Sequence, residues 1–236
     1  IEPPCGSNTT IIKSRGKFLF VDTGYACYRE EMLAILKNLI PDFSSMKKTA
    51  LITHADLDHC GLLSEFDEVI ASHKSAQCIR SEYEGNGGYR EKLPLHKPYV
   101  NICKILTSYK PVDPQKITVP WQDIEDLKQP MTQIGFFDFE ELHFEVYEGK
   151  GGHLQGGIVL IDYTNHIALT GDIYINVRGL TPEQAEHNQY APILMTSVDT
   201  DPALCAEERK AILQRLGVGE WQIFGGHGFK KEYSVK

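Results

Sequence analysis

A run of histidines and aspartates directly after a buried strand is the feature that most constrains this chain. The strand is predicted at residues 49–53, because Thr-Ala-Leu-Ile-Thr is apolar without the polar alternation of a half-exposed strand. Residues 54–61 then read His-Ala-Asp-Leu-Asp-His-Cys-Gly. Four side chains that can bind a metal ion therefore follow one strand end, where a rigid sheet can direct them toward a common point.

The same arrangement recurs further along the chain. Other metal-competent side chains lie beside predicted strand ends: His153 before strand 157–161, Asp172 after strand 166–170 and His227 after strand 221–224. With His54, Asp56, Asp58 and His59 they make four imidazoles and three carboxylates, more than one ion needs. We therefore predict a site for two metal ions with one bridging carboxylate. Any one of these residues alone is more often a turn or capping residue, so the prediction depends on the whole set.

Hydrophobic periodicity and turn signals predict a mixture of strands and helices. The predicted strands are residues 9–13, 18–22, 49–53, 67–71, 142–147, 157–161, 166–170 and 221–224. The predicted helices are residues 27–39, a short helix from about residue 74, 98–109 and 201–216. Asp201 should cap the last helix, which Gly217 should end.

Length and composition predict a single domain. The 236 residues are 42% hydrophobic and 24% charged, which is enough to bury a large core. We assign residues 1–236 to one domain with an insertion at about 83–133, which holds six of the twelve prolines and too few apolar residues for its own core. Because it lies between ligand motifs, the insertion is expected to form a wall of the substrate pocket.

Charge and cysteine usage limit the partners and the compartment. The net charge of −8 argues against a nucleic-acid partner, and no apolar run approaches the roughly 18 residues of a membrane span. The six cysteines are widely spaced without a C-x-x-C pair, which predicts reduced thiols and a cytoplasmic location. A small molecule is the expected partner. The oligomeric state stays open, as does a removed leader, since the chain begins with Ile.

The ordered motifs resemble those of the metallo-β-lactamase superfamily. These motifs are His-x-x-x-Asp-His-x-Gly, a histidine in a glycine-rich loop, Gly-Asp and a C-terminal Gly-His, and Asp22-Thr-Gly24 after the second strand also matches. The resemblance spans residues 8–227. It implies an α/β fold, a four-layer αββα sandwich of two mixed β-sheets flanked by helices.

The resemblance also implies a role for each residue. His54 and His153 would bind the first ion, and Asp56, a further predicted metal ligand, stands where the common motif has its second histidine. Asp58, His59 and His227 would bind the second ion, and Asp172 would bridge the two. Asp58 and Asp172 are also the residues assigned to catalysis. Asp22 would support the ligand loop from outside the centre.

Asp56 departs from the common pattern, which has a second histidine there. Three carboxylates and a bridging hydroxide would fully offset the charge of two divalent ions, which weakens them as Lewis acids. Zinc is the expected metal, but an oxygen ligand at Asp56 shifts the preference toward iron or manganese. A carboxylate at this position also resembles the flavodiiron branch of the superfamily.

The preferred function is a metal-dependent hydrolase, a binuclear enzyme whose bridging hydroxide cleaves a small ester, lactone or phosphodiester. The alternative is a non-haem diiron oxidoreductase or an oxygen or nitric oxide sensor, and a third interpretation is a metal-stabilised scaffold without activity.

Other residues receive structural interpretations: surface or satisfied histidines at 73, 96, 143, 166 and 187, a buried Cys60, and turn and cap roles for Asp199 and Asp201. Tyr174 is interpreted either as an oxyanion donor or as a packing aromatic.

Overall fold

Two mixed β-sheets form the centre of the protein. The computed structural model describes residues 1–236, except for the side chains of residues 191 and 192. The first sheet has the order β1-β2-β3-β4-β5: Thr10–Ser14, Lys17–Val21, Thr49–Leu51, Glu68–Ile70 and Ile117–Thr118. The second has the order β11-β10-β9-β8-β7-β6: Lys231–Val235, Gly219–Gly225, Ile167–Gly171, Ile158–Asp162, Leu142–Gly149 and Met131–Phe139.

Strand direction determines which loops meet. In the first sheet β2, β3, β4 and β5 are parallel, so their carboxyl ends share one edge. In the second sheet β9 and β10 are the parallel pair, and their last residues Gly171 and Gly225 are partners in register. The chain that leaves β9 therefore runs beside the chain that leaves β10.

Alternating side chains bury both faces of each sheet. Leu19 and Val21 of β2 pack between the sheets with Phe144 and Leu160, whereas Phe20 faces the opposite way, into the core under the helices. The second sheet repeats this arrangement on its outer face, where α6 covers β8 and β9. Helices outside two stacked sheets make four layers, so the predicted αββα sandwich is confirmed.

Six helices surround the sheets: α1 Arg29–Leu39, α2 His73–Tyr83, α3 Lys97–Thr107, α4 Pro182–Asn188, α5 Tyr190–Met195 and α6 Pro202–Arg215. The predicted cap of α6 is present, since the Asp201 carboxylate accepts from the Leu204 amide at 3.0 Å. The strands β5, β6 and β11 and the helices α4 and α5 are additions to the predicted elements.

The segment 83–133 is integrated into both sheets. It contains α3 and β5 and the first residues of β6. Trp121 packs in the core between the sheets and donates its indole N–H to the Phe136 carbonyl at 2.9 Å. Removing the segment would therefore expose core surface as well as change the pocket.

Within the described residues, no helix combines the length and the apolar character that a membrane span requires. All six cysteines are free thiols.

Candidate metal centre

Loops at the strand ends bring all seven predicted ligands to one place. His54, Asp56, Asp58 and His59 follow β3, His153 lies between β7 and β8, Asp172 follows β9 and His227 follows β10. Their ligand atoms form three groups, each within 4.8 Å: His54, Asp56 and His153; Asp58, His59 and His227; His54, His59 and Asp172. Both sheets therefore contribute to one cluster of donors.

The first donor set consists of His54, Asp56 and His153. Oδ2 of Asp56 lies 3.4 Å from Nε2 of His54 and 3.5 Å from Nε2 of His153. A hydrogen bond of 3.1 Å between Thr53 Oγ1 and His54 Nδ1 turns the other ring nitrogen of His54 toward the set. These three side chains are all buried.

The second donor set consists of Asp58, His59 and His227. Oδ2 of Asp58 lies 3.8 Å from Nε2 of His59 and 3.5 Å from Nε2 of His227. Asp172 lies between the two sets, with carboxylate oxygens 3.4 Å from His59, 3.1 Å from His227 and 3.6 Å from His153. This is the position that a bridging carboxylate would need.

Several donor atoms in the cluster lack partners. Within the described residues, Nε2 of His54, Nε2 of His59 and Oδ1 of Asp172 are buried without a hydrogen bond. Buried polar atoms are nearly always paired, and mixed imidazole and carboxylate donors suit divalent transition metals. The residues present therefore fit a metal centre.

Charge in the centre follows from burial opposed by close partners. Burial would raise the pKa of Asp56, but the Arg90 guanidinium beside it holds that pKa well below its usual range. Burial likewise opposes ionisation of Asp172, whose pKa is held well below normal by His227 and His59. Both side chains are thus carboxylates at neutral pH. Burial lowers the pKa of His54 and favours the neutral imidazole that a metal ion needs.

Asp22 holds the loop after β3. Its Oδ1 accepts from the Thr53 amide at 2.8 Å, and its Oδ2 lies 2.9 Å from Nδ1 of His59. Asp22 has a φ of 58°, a left-handed conformation that Asp tolerates better than most residues. Such a contact fixes the orientation of a ligand imidazole, as the sequence predicts for this residue.

Glycine is required where the Gly-His loop passes Asp172. A Cβ on Gly226 would lie 2.1 Å from Oδ1 of Asp172 and 2.7 Å from the His59 ring. No side chain fits there. The backbone amide of Gly226 bonds to the Gly171 carbonyl at 2.8 Å, which locks this loop to the one that carries Asp172.

Sequence reasoning missed two residues that support His153. Asp199, interpreted as a turn residue, accepts from Nδ1 of His153 at 2.9 Å. Glu208 of α6 is fully buried, and its Oε1 accepts from the amides of Gly151 and Gly152 at 3.0 Å each. The interpretation of Asp199 as a turn residue did not include this contact, because Asp199 lies 46 residues from His153 and no local pattern marks it.

Arg90 is the third residue that the sequence did not reveal. Its Nε lies 2.6 Å from Oδ1 of Asp56, and its Nη2 lies 2.6 Å from Oδ2. It comes from a 3-10 turn at Arg90–Lys92, inside the segment predicted as a pocket wall. This guanidinium adds one positive charge to the centre, so the predicted full neutralisation of two divalent ions by three carboxylates does not hold.

A small cavity of about 90 Å³ opens onto the donors. Apolar side chains form much of its wall, including Tyr25, Leu57, Tyr99, Val100, Ile175 and Met195. Tyr99 and Val100 belong to α3 and thus to the segment 83–133. His187, interpreted as a surface or satisfied residue, also lines this cavity.

The other residues considered in the sequence analysis lie outside the donor sets and make packing or ion-pair contacts. Cys60 is 1% exposed in the core beneath the helices, as predicted. Tyr174 packs against the core under α6, and the Lys231 ammonium lies 5.4 Å from the centre of its ring, which favours the packing interpretation. His73 and His143 pair with carboxylates, His166 stacks on Trp221, and His96 is buried beside Arg90.

Fold and donors together define a metal-binding αββα protein. The sequence matches the model of the metallo-beta-lactamase superfamily over residues 3–199, so the chain belongs to this superfamily. No curated protein matches the sequence.

Solved structures agree on the fold. The BLEG-1 B3 metallo-beta-lactamase is 17% identical with a TM-score of 0.54, over 97% of this chain and 91% of that one. AidC, a dizinc quorum-quenching lactonase, is 18% identical with a TM-score of 0.56, over 98% of this chain and 76% of that one. TTHA1623 in a di-iron-bound form is 16% identical with a TM-score of 0.53, over 98% of this chain and 91% of that one.

Proposed function

We propose that this protein is a metal-dependent hydrolase that cleaves a small ester, lactone or phosphodiester. The observation that carries the proposal is the pair of donor sets, joined by Asp172, at the base of a cavity. Ions bound there would polarise a substrate oxygen and lower the pKa of water. Membership of the superfamily and the likeness to a dizinc lactonase support hydrolysis.

The position of each residue suggests its role in metal binding, proton transfer or exclusion of water. His54, Asp56 and His153 would hold one ion, and Asp58, His59 and His227 the other, with Asp172 shared. Asp58 faces the cavity and is more exposed than Asp56, so it is the carboxylate best placed to accept a proton. The apolar wall would exclude water from the reacting group.

A small substrate suits this cavity. A volume of about 90 Å³ admits only a small group at the donors, so a larger substrate would extend outward along α3 and α5. The net charge of −8 supports a small molecule rather than a nucleic acid as the partner. The free cysteines support a cytoplasmic location.

A diiron redox function is the second candidate, and Asp56 is the observation that favours it. Carboxylate ligands shift a site toward iron, and a di-iron-bound structure shares the fold. Such a function would also require an electron donor to reduce the iron.

Metal-loaded protein separates the two candidates. Zinc- or manganese-loaded protein should hydrolyse at least one member of a panel of activated esters, lactones and phosphodiesters, and the variant His59→Ala/His227→Ala should not. Zinc-loaded protein that is inert on the whole panel, together with oxygen or nitric oxide consumption by the reduced iron form, would overturn the hydrolase and establish the redox function.

A further inference from the structure

A positively charged side chain, Arg90, contacts the first donor set directly. The Arg90 guanidinium donates hydrogen bonds to the Asp56 carboxylate through Nε and Nη2, both at 2.6 Å, and Arg90 is 7% exposed. Its Nη1 donates to the Val198 carbonyl at 2.7 Å and lies 3.2 Å from Nδ1 of His96. A planar guanidinium held on three sides cannot move without breaking several hydrogen bonds.

Arg90 also lies against the ring nitrogen of His153 that a metal ion would need. Asp199 accepts a hydrogen bond from the Nδ1–H group of His153, so Nε2 is the ring nitrogen that faces Asp56. Nη2 of Arg90 lies 3.2 Å from that Nε2 and 2.6 Å from Oδ2 of Asp56. The Nη2 amino group is thus placed against two of the three ligand atoms that define the first donor set.

The second donor set has no such competitor. Among the described residues, the ion-pair partners of Asp58 and Asp172 are histidines alone, with no lysine or arginine. An ion entering there meets two carboxylates and two imidazoles. Besides the shared Asp172, an ion entering the first set meets one carboxylate, and that carboxylate already neutralises an arginine.

We propose that Arg90 makes the two halves of the centre unequal. The set of Asp58, His59 and His227 with Asp172 is the high-affinity site. An ion occupies His54, Asp56 and His153 only by displacing Nη2 of Arg90 from His153 and Asp56. The inference depends on the metal centre of the proposed function but not on its substrate or reaction.

Zinc titration of the metal-free protein by calorimetry, with metal analysis after dialysis, tests whether the two donor sets differ in metal affinity. The wild-type protein should bind one ion tightly and a second at least about tenfold more weakly. Arg90→Met removes the cation but keeps an unbranched side chain, and the second step should strengthen by about tenfold or more. Arg90→Lys keeps the charge and should keep the two steps apart. Arg15→Met, which removes an exposed partner of Glu141, is the matched control.

A second pair of variants tests the order of filling if Arg90→Met does not fold. The tight step should survive in His54→Ala and disappear in His59→Ala. Two wild-type steps of equal affinity, or a tight step lost in His54→Ala and kept in His59→Ala, would overturn the inference. So would unchanged binding in a folded Arg90→Met. Absence of hydrolysis would leave these binding results intact, so a failed activity and a failed inference are distinguishable.

Discussion

At the scale of single residues, Asp56 and Arg90 function as a unit. A carboxylate in place of the usual histidine adds a negative charge, and the guanidinium that binds it at 2.6 Å cancels that charge. Three carboxylates with one arginine have the same net charge as the usual two carboxylates. The expected weakening of the ions as Lewis acids therefore does not follow from Asp56 alone. Asp56 instead replaces a nitrogen donor with an oxygen donor, and the bound Arg90 limits the access of an ion to that oxygen.

Asp22→Asn is the residue-scale prediction for the second donor set. Asn tolerates the left-handed φ of 58° and keeps a carbonyl oxygen, but it loses the charge beside His59 Nδ1. Loss of such a contact typically costs about 10- to 100-fold in metal affinity, and we expect that loss in the tight step. Competition with a chromogenic chelator measures it.

The control for Asp22→Asn is Asp138→Asn, which removes an exposed carboxylate paired with His143 on the rim of the second sheet. It should leave metal affinity unchanged. Equal affinity in Asp22→Asn and the wild-type protein would show that Asp22 shapes the loop without tuning His59.

The clustering of the seven predicted ligands could be expected from the sequence because each lies beside a strand end in an ordered motif. Arg90 and Asp199 were not, since each reaches its partner across a long stretch of chain from an irregular segment. Glu208 lies in a predicted helix, but only the packing of α6 against the glycine loop shows its role. Periodicity and motif order carry no information about such contacts.

At the scale of elements, broken or absent hydrophobic patterns explain the missed strands. The alternation of β6 is interrupted by a register shift between Gln133 and Gly135, so its two halves look unrelated in sequence. β11 is an edge strand with no fully buried residue, and its apolar signal is limited to the half-buried Tyr233 and Val235. The start of α4 did carry a signal, since Thr181 and Gln184 form a capping box with Pro182 at the first turn.

Glu208 gives the element-scale prediction, because it ties α6 to the loop that carries His153. Glu208→Ala should lower the free energy of unfolding by about 1–3 kcal/mol, since two buried amides lose their acceptor. Glu208→Gln keeps an acceptor oxygen and should lose much less. Chemical denaturation measures both.

Glu207→Ala on the same helix is the matched control, because Glu207 is exposed. Its unfolding should follow the wild-type curve. A Glu208→Ala protein as stable as Glu207→Ala would mean that water replaces the lost acceptor.

At the scale of the whole molecule, the centre joins the two sheets, which also meet through apolar packing and through a hydrogen bond of 2.8 Å from the Ile158 amide to the Thr53 carbonyl. His54, Asp56, Asp58 and His59 come from the first sheet, and His153, Asp172 and His227 from the second. A bound ion would therefore link the two halves of the sandwich. Separation of the sheets during unfolding would destroy the site, so binding free energy would add to the free energy of unfolding.

Removal of metal should accordingly lower the thermal midpoint. A ligand that binds only the folded chain, at a free concentration a hundredfold above its dissociation constant, adds about 2.7 kcal/mol. For a domain of this size that corresponds to a fall of about 5–10 °C on chelation. Differential scanning calorimetry with and without zinc measures the shift, which His59→Ala/His227→Ala should abolish. A midpoint that does not change although metal analysis confirms loss of the ion would show that the apolar core alone holds the sheets together.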